Sequence, residues 1–471
     1  MKNSKKHFDE AASEMTMRLL VLSRNTRNAR MQVHDVMNAV QGVVYKCRGV
    51  EDPSDLLLTG EGDITVCETD RLTYPLPEGL TVAALFKASD SVQGNLAVLC
   101  RSARADLRGL LYLCDVRNSY GKVWLVGAGP GSADLITVRA IRVLAQAEIV
   151  YYDDLVDGSL LAYCTGEHVY VGKRKGRTSH SQDSINELLY RSALEGKTVV
   201  RLKGGDPSIF GRAGEELDYL RRRWITVEMV PGVTSASAAS AAGLFSLTQR
   251  RISRSVTFRS GHGMDHSAQF SAEKKTFVYY MAASKLKEIA HDLIREGVPT
   301  ITPVVIVGNA GAWNETSVPS TVETMKDIVV QAPALVVVGN VTAYARVERK
   351  ALFTGIDPDL VKVKESVIHQ PLIAPVSSPG PMLCTSGSPT YKRMEPLPEP
   401  LDLSYFAAVI FSTPAEVDAF EAVYGDLPDH LLCYAIDGRT RKALEKKKLS
   451  RWRIVSCRIR GKFVDGVHNV A

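Results

Sequence analysis

The run VVRLKGGDPSIFGR, Val199 to Arg212, joins paired glycines to an acid. Val199, Val200 and Leu202 read as a strand, and Gly204-Gly205-Asp206-Pro207 as the turn that ends it. Paired glycines bring backbone amides close to a ligand, as phosphate loops do. Asp206 would repel a phosphate, while Arg201, Lys203 and Arg212 would attract an anion. The loop therefore asks for a ligand that tolerates an acid amid cations.

A second glycine loop lies in VWLVGAGPGSADLITVRA, where Gly127, Gly129 and Gly131 separate a strand from a helix. Asp153 ends the next strand about two dozen residues on, where a ribose-binding acid would stand. That pattern admits a dinucleotide turn and a nicotinamide-dependent dehydrogenase. The spacing G-x-G-P-G departs from G-x-G-x-x-G, and Pro130 removes one N–H from the loop, which favours a structural turn.

The elements that must position these loops alternate. From about residue 121 to 355, KVWLVGAG, EIVYYDD, HVYVGK and TVVRLKGG read as strands, with helices at ADLITVRAIRVLAQA and QDSINELLYRSALEG. SVTFRSGHG, TFVYYMA, PVVIVG and ALVVVGN continue the strands. This order predicts an α/β fold with a largely parallel sheet. Before it, MRLLVLS, DITVCE and LTVAALF read as strands and MQVHDVMNAVQGVV as a helix. After residue 370 a Pro/Ser/Gly-rich stretch reads as a linker or loop-rich edge. YFAAVIFSTPAEVDAFEAVYG and HLLCYAIDGRTRKALEKKKL then each read as strand, turn and helix.

With 45% apolar and 23% charged residues, the 471-residue chain has an ordinary globular composition. Its net charge of +6 is too mild and dispersed to indicate nucleic acid. Eight cysteines form no C-x-x-C pair and read as reduced thiols. MKNSKKHFDEAASEM lacks the apolar stretch of a secretory signal, and no apolar run approaches the roughly 20 residues of a membrane helix. The sequence reads as a cytoplasmic protein. His262 and His266 sit among glycines that argue against a helical metal pair, so no metal is expected.

GAGPG (127–131), YDDLV (152–156), VGKRKG (171–176), VVRLKGGDPSIFGR (199–212) and VPGVTSASAASAAG (230–243) together resemble uroporphyrinogen-III C-methyltransferases of the tetrapyrrole methylase family. The resemblance continues to about residue 350. It implies two α/β domains with S-adenosylmethionine (AdoMet) in the cleft between them, in a homodimer. Pro130, Gly204, Gly205, Asp206, Ile209, Thr234, Ser235, Met281 and Ala310 would line the AdoMet pocket. Asp153 would accept a proton and Lys173 donate one. The substrate would be uroporphyrinogen III and the product precorrin-2, on the route to sirohaem and cobalamin.

AdoMet fits the first loop's demand, since it carries a sulfonium and an ammonium as well as a carboxylate. The polycarboxylate substrate asks for fixed cations, for which Lys173, Arg174, Arg177, Arg201, Lys203, Arg212 and Arg250 are candidates by proximity. Three positions depart from the family's pattern. Ser132 replaces a frequent acid, Gln249 a frequent histidine, and Ala310 a usual glycine, which matters only where φ is positive.

GEGDITVCETDRLTYPLPEGLTVAALF resembles part of hydroxymethylbilane synthase, with Asp70 and Arg71 at the family's Lys-Asp positions. FAAVIFSTPAEVDAF and YAIDGRTRKALEKKKL resemble part of uroporphyrinogen-III synthase. The expected division is 1–118, 119–360 and 361–471, with the flanks partial and non-catalytic. A non-catalytic scaffold that binds tetrapyrroles is a further alternative.

Overall fold

The computed structural model describes residues 17–87, 95–172, 180–262, 275–346, 350–355, 361–362, 366–375, 391–394, 398–447, 453–456 and 458–459. The chain divides into two units, one of residues 1–128 and 136–232 and the other of residues 129–135 and 233–471. Both are α/β.

The first unit holds two sheets. In one, β1 (Met17–Arg24), β2 (Val43–Val50), β3 (Ile64–Glu68), β4 (Leu80–Lys87) and β5 (Asn95–Arg101) lie in the order β2-β1-β3-β5-β4. β1 is parallel to β2 and β3, whereas β5 is antiparallel to β3 and β4. Helix α1 (Arg27–Asn38) starts at Thr26, whose Oγ1 accepts from Ala29 N at 3.1 Å. Its Val33, Val36 and Met37 pack on Leu19, Val21 and Ile64. The helix expected through Val44 stops at Asn38. Gly42 turns the chain at φ 74°, and the β-branched pair Val43-Val44 opens β2. Helices α2 (Pro53–Thr59) and α3 (Ala105–Leu111) complete this part.

The second sheet is wholly parallel: β6 (Lys122–Gly127), β7 (Ile149–Tyr152), β8 (Glu167–Tyr170), β9 (Val199–Lys203) and β10 (Thr226–Val230), in the order β10-β6-β9-β7-β8. Its middle position buries every residue of β9, so both faces need cover. α4 (Val138–Leu144), α5 (Gln182–Leu194) and α6 (Ala213–Arg221) belong to this part. Leu189 and Ala193 of α5 and Leu220 of α6 pack on Val123, Leu125 and Val199.

In the second unit, α7 (Ser235–Ala242) precedes a sheet of β11 (Ser255–Ser260), β12 (Lys275–Tyr280), β13 (Pro303–Gly308), β14 (Thr316–Thr321) and β15 (Ala334–Val338). The order is β11-β12-β15-β13-β14. Only β11 and β12 pair in parallel; β15 is antiparallel to both neighbours and β14 to β13. The expectation of a largely parallel sheet therefore fails here; the β13–β14 pair is antiparallel because a loop too short for a crossover helix joins the two strands. α8 (Leu286–Arg295) lays Leu286, Ile289, Ala290 and Leu293 on this sheet's core, the spacing of one helical face.

The last sheet orders β16 (Lys350–Phe353), β18 (Ser366–His369), β21 (Ala408–Phe411), β22 (Leu432–Ala435) and β23 (Ile454–Ser456) as β18-β16-β21-β22-β23, all parallel. Two ribbons pair β17 (Val361–Lys362) with β24 (Arg458–Ile459), and β19 (Ile373–Pro375) with β20 (Tyr391–Arg393). The Pro-rich stretch is thus bracketed by a ribbon. α9 (Pro414–Tyr424) and α10 (Gly438–Lys446) follow β21 and β22. Among the described residues, no helix is long and apolar enough to cross a membrane.

Candidate active site

In the first unit, β9 carries two cations into the interior. Arg201 is 4% exposed and Lys203 5%, and both meet Glu216 of α6, which is 0% exposed. Lys203 Nζ donates to Glu216 Oε1 and Oε2 at 2.8 and 2.9 Å. Arg201 Nη2 donates to Asp153 Oδ2 at 2.7 Å, and Nη1 donates to the carbonyls of Tyr151 and Leu202. Burial, then the charge of Arg201, pushes the Lys203 ammonium below its ordinary range, and Glu216 opposes that. Lys203 is consumed by this internal pair, so it is not a free substrate-binding cation. Arg212 pairs at the surface with Glu215 at 2.7 Å.

Asp153 follows β7, and its Oδ1 accepts from Leu155 N at 3.2 Å, so it caps its own turn while holding Arg201. That turn meets the glycine loop: a Cβ on Gly204 would lie 2.5 Å from Leu155 Cβ. Gly205 sits at φ 69°, and its carbonyl lies where a Cβ on Gly127 would come to 2.7 Å. A Cβ on Gly232 would strike the same carbonyl. Asp206 fixes the loop, with Oδ1 accepting from Ser208 N at 2.8 Å and Oδ2 from Gly232 N at 3.1 Å. Ile209 N donates to the Asp206 carbonyl at 3.2 Å, and Phe210 and Arg212 beyond it have φ of 52° and 56°. A cavity of about 250 Å³ is lined by Asp153, Leu155, His180, Gln182, Arg201 and Arg212, among others.

The remaining predicted cofactor residues fall in the second unit. Gly131 and Gly311 allow the loop of 129–135 to pack on that of 309–312: a Cβ on Gly311 would lie 2.8 Å from Pro130 Cγ, and Ser132 N donates to the Gly311 carbonyl at 2.8 Å. Positive φ falls on Asn309 (49°) and Gly311 (81°), on either side of Ala310. Alanine at 310 therefore carries no backbone penalty. Thr234 precedes α7 without capping it. Its Oγ1 lies 2.7 Å from Tyr280 Oη, and Ser235 begins the helix. Met281, at φ 56°, follows β12 and is 47% exposed.

Lys173, Arg174 and Arg177 lie outside the described residues, as does His266. Among the described residues, no group of three or more His, Cys, Asp or Glu is placed to hold a metal ion. The dinucleotide alternative loses its helix, because a 3₁₀ turn (Ala133–Leu135) follows the glycines and α4 begins only at Val138. α4's N-terminus is capped by Thr137, whose Oγ1 accepts from Ala140 N at 3.2 Å.

Residues 122–326 match the family model of tetrapyrrole (corrin/porphyrin) methylases. A uroporphyrinogen-III C-methyltransferase of Pseudomonas aeruginosa is 43% identical over 231 residues, which are 47% of this chain and 94% of that protein. The chain belongs to the tetrapyrrole methylase family. A sirohaem synthase of Pseudomonas putida is 42% identical over 250 residues, 51% of this chain and 53% of that one. The chain thus spans about half the length of the sirohaem synthases it matches. A solved uroporphyrin-III C-methyltransferase from Thermus thermophilus, in complex with S-adenosylhomocysteine, is 38% identical, covers 47% of this chain and 99% of its own, and has a TM-score of 0.42. Asp153 and the glycine loop stand out in the sequence as contiguous strings. Glu216 and Tyr280 were not singled out, because only the folded contacts of Glu216 with β9 and of Tyr280 with Thr234 bring them to these loops.

Proposed function

We propose that this methylase transfers methyl groups from AdoMet to carbons of uroporphyrinogen III, giving precorrin-2 for sirohaem or cobalamin. The observation that carries the reading is 43% identity across 94% of the Pseudomonas aeruginosa C-methyltransferase. Pro130, Gly204, Gly205, Asp206, Ile209, Thr234, Ser235, Met281 and Ala310 hold the cofactor. An electron-rich pyrrole carbon attacks the AdoMet methyl, a C–C bond forms, and the S–CH₃ bond breaks to release S-adenosylhomocysteine. Asp153 takes the proton the ring then sheds, and Lys173 returns one where the macrocycle needs it. Positioning supplies most of the rate, since the sulfonium is already a good leaving group.

The three-part division at 118/119 and 360/361 belongs to this reading, with the flanks binding or folding rather than catalysing. So does a cytoplasmic homodimer without nucleic-acid or membrane partners. The mild net charge of +6 and the free state of all described cysteines support that setting.

Purified chain incubated with methyl-labelled AdoMet and fresh uroporphyrinogen III should move label into the tetrapyrrole. Asp153→Asn should slow transfer by about 100-fold or more. Label that stays in AdoMet while NAD protects the chain would instead favour a dehydrogenase. Tetrapyrrole binding without transfer would favour a scaffold.

A further inference from the structure

The cation pair of β9 poses a physical problem that the proposed chemistry does not address. Arg201 and Lys203 point from one strand into the same interior, and two cations there repel each other strongly. Glu216 is the anion that both share. Its carboxylate lies 2.8 Å from Lys203 Nζ and 3.5 Å from Arg201 Nε, and it also accepts from Gln182 Nε2 at 3.2 Å. Among the described residues, Arg201 Nε makes no hydrogen bond, so Glu216 holds that edge of the guanidinium by charge alone. The opposite edge is fixed by Asp153 and by the carbonyls of Tyr151 and Leu202.

We infer that Glu216 is a positioning residue: anchored by Lys203 and Gln182, it holds Arg201 in the single arrangement that presents the Asp153 carboxylate to substrate. The inference rests on the reading in which Asp153 accepts the proton. Glu216 sits on α6, is 0% exposed, and meets Lys203, Gln182 and Arg201. Its effect runs Glu216 to Arg201 to Asp153, through contacts of 3.5 and 2.7 Å. With the shared anion neutralised, the guanidinium is pushed away from Lys203 and draws Asp153 with it. A displacement near 1 Å costs about 100-fold where geometry carries the rate.

The test uses the full chain, with AdoMet affinity read by calorimetry and label transfer to uroporphyrinogen III read as kcat and KM. Glu216→Gln should keep AdoMet Kd within about twofold while kcat falls about 10- to 100-fold. In an Asp153→Asn background the same change should cost almost nothing, since its target is gone. Loss of charge opposite Lys203 threatens folding, so Lys203→Met/Glu216→Gln removes both charges together. That double variant should fold yet stay as slow as Glu216→Gln. If it regains wild-type kcat, Glu216 only neutralises Lys203 and the inference is wrong. Equal losses with and without Asp153 would overturn it as well. A wild-type chain that transfers no label refutes the proposed function instead, so the two failures are distinct.

Discussion

At the scale of single residues, three glycines of the first unit show which backbone approaches the methylase loop cannot lose. Gly127, Gly205 and Gly232 come together from the ends of β6, β9 and β10, and the Gly205 carbonyl stands where a Gly232 Cβ would go. Gly232→Ala should therefore cost roughly 1–3 kcal/mol and weaken AdoMet binding, read by thermal unfolding and calorimetry. Ala310→Gly gives the contrasting outcome. With positive φ on its neighbours, restoring the family's usual glycine should cost about 0.5–1 kcal/mol through chain entropy, read by thermal unfolding. Thiols report on burial in the same way. Burial pushes Cys67 up to about 12 and Cys433 up to about 11, whereas Cys47 is exposed. At pH 8 iodoacetamide should modify Cys47 in the folded protein and leave the other two unmodified, as peptide mapping would show. The glycines and Asp153 were legible because they sit in uncommon contiguous strings. Asp206 was half legible: its place beside the paired glycines was visible, but its hold on the amides of Ser208 and Gly232 needed the fold.

Elements were legible where one period dominated. β6, β7, β9 and α5 stand where alternation or helical spacing put them, while β2, β5 and α8 went unnoticed. VVYKCRGV follows an amphipathic helix directly, so its β-branched residues passed for helix positions. The start of α9 shows a local rule obeyed with an unusual result. Thr413 and Glu416 take capping-box positions, with Glu416 N donating to Thr413 Oγ1 at 3.4 Å, but Glu416 is 0% exposed and reaches Ser412 N instead of Thr413 N. Its carboxylate accepts from Ser412 N at 2.8 Å and Thr354 Oγ1 at 3.1 Å, and from Ser412 Oγ. Burial nevertheless outweighs these donors and raises the Glu416 carboxyl above its ordinary 4.5. A folded carboxyl that holds its proton more tightly than the unfolded one adds stability below pH 4.5, and that stability is lost as pH rises through the raised value. Glu416→Gln cannot ionise. Its urea midpoint should fall less than wild type's between pH 4.5 and neutrality, and parallel curves would refute this account.

At the scale of the molecule, each flank shares hydrophobic surface with the methylase half in its own unit. Trp224, just before β10, packs with Leu22, Leu57, Leu80 and Val82 of the N-terminal sheet. In the second unit Trp313, in the loop after β13, stacks on Phe406 with centroids 6.4 Å apart and rings within 4°, and meets Tyr405 edge-on at 5.9 Å. Lys350, the first residue of β16, donates to the Trp313 and Glu315 carbonyls and pairs with Glu315 at 3.3 Å. None of this was legible, because a tryptophan in a loop carries no signal of the distant segment that will cover it. The contacts give the flanks a physical use independent of chemistry: they cover aromatic surface that would otherwise face water. Trp313→Ala should cost about 2 kcal/mol, and the loss should fall on the docking of the C-terminal segment rather than on the β11–β15 sheet. Limited proteolysis should then cut within residues 398–447 about 30-fold faster than in wild type, the factor that about 2 kcal/mol of local opening allows. Cleavage that speeds up equally in both sheets would mean that the tryptophan supports the whole unit and that the flank is not separately docked.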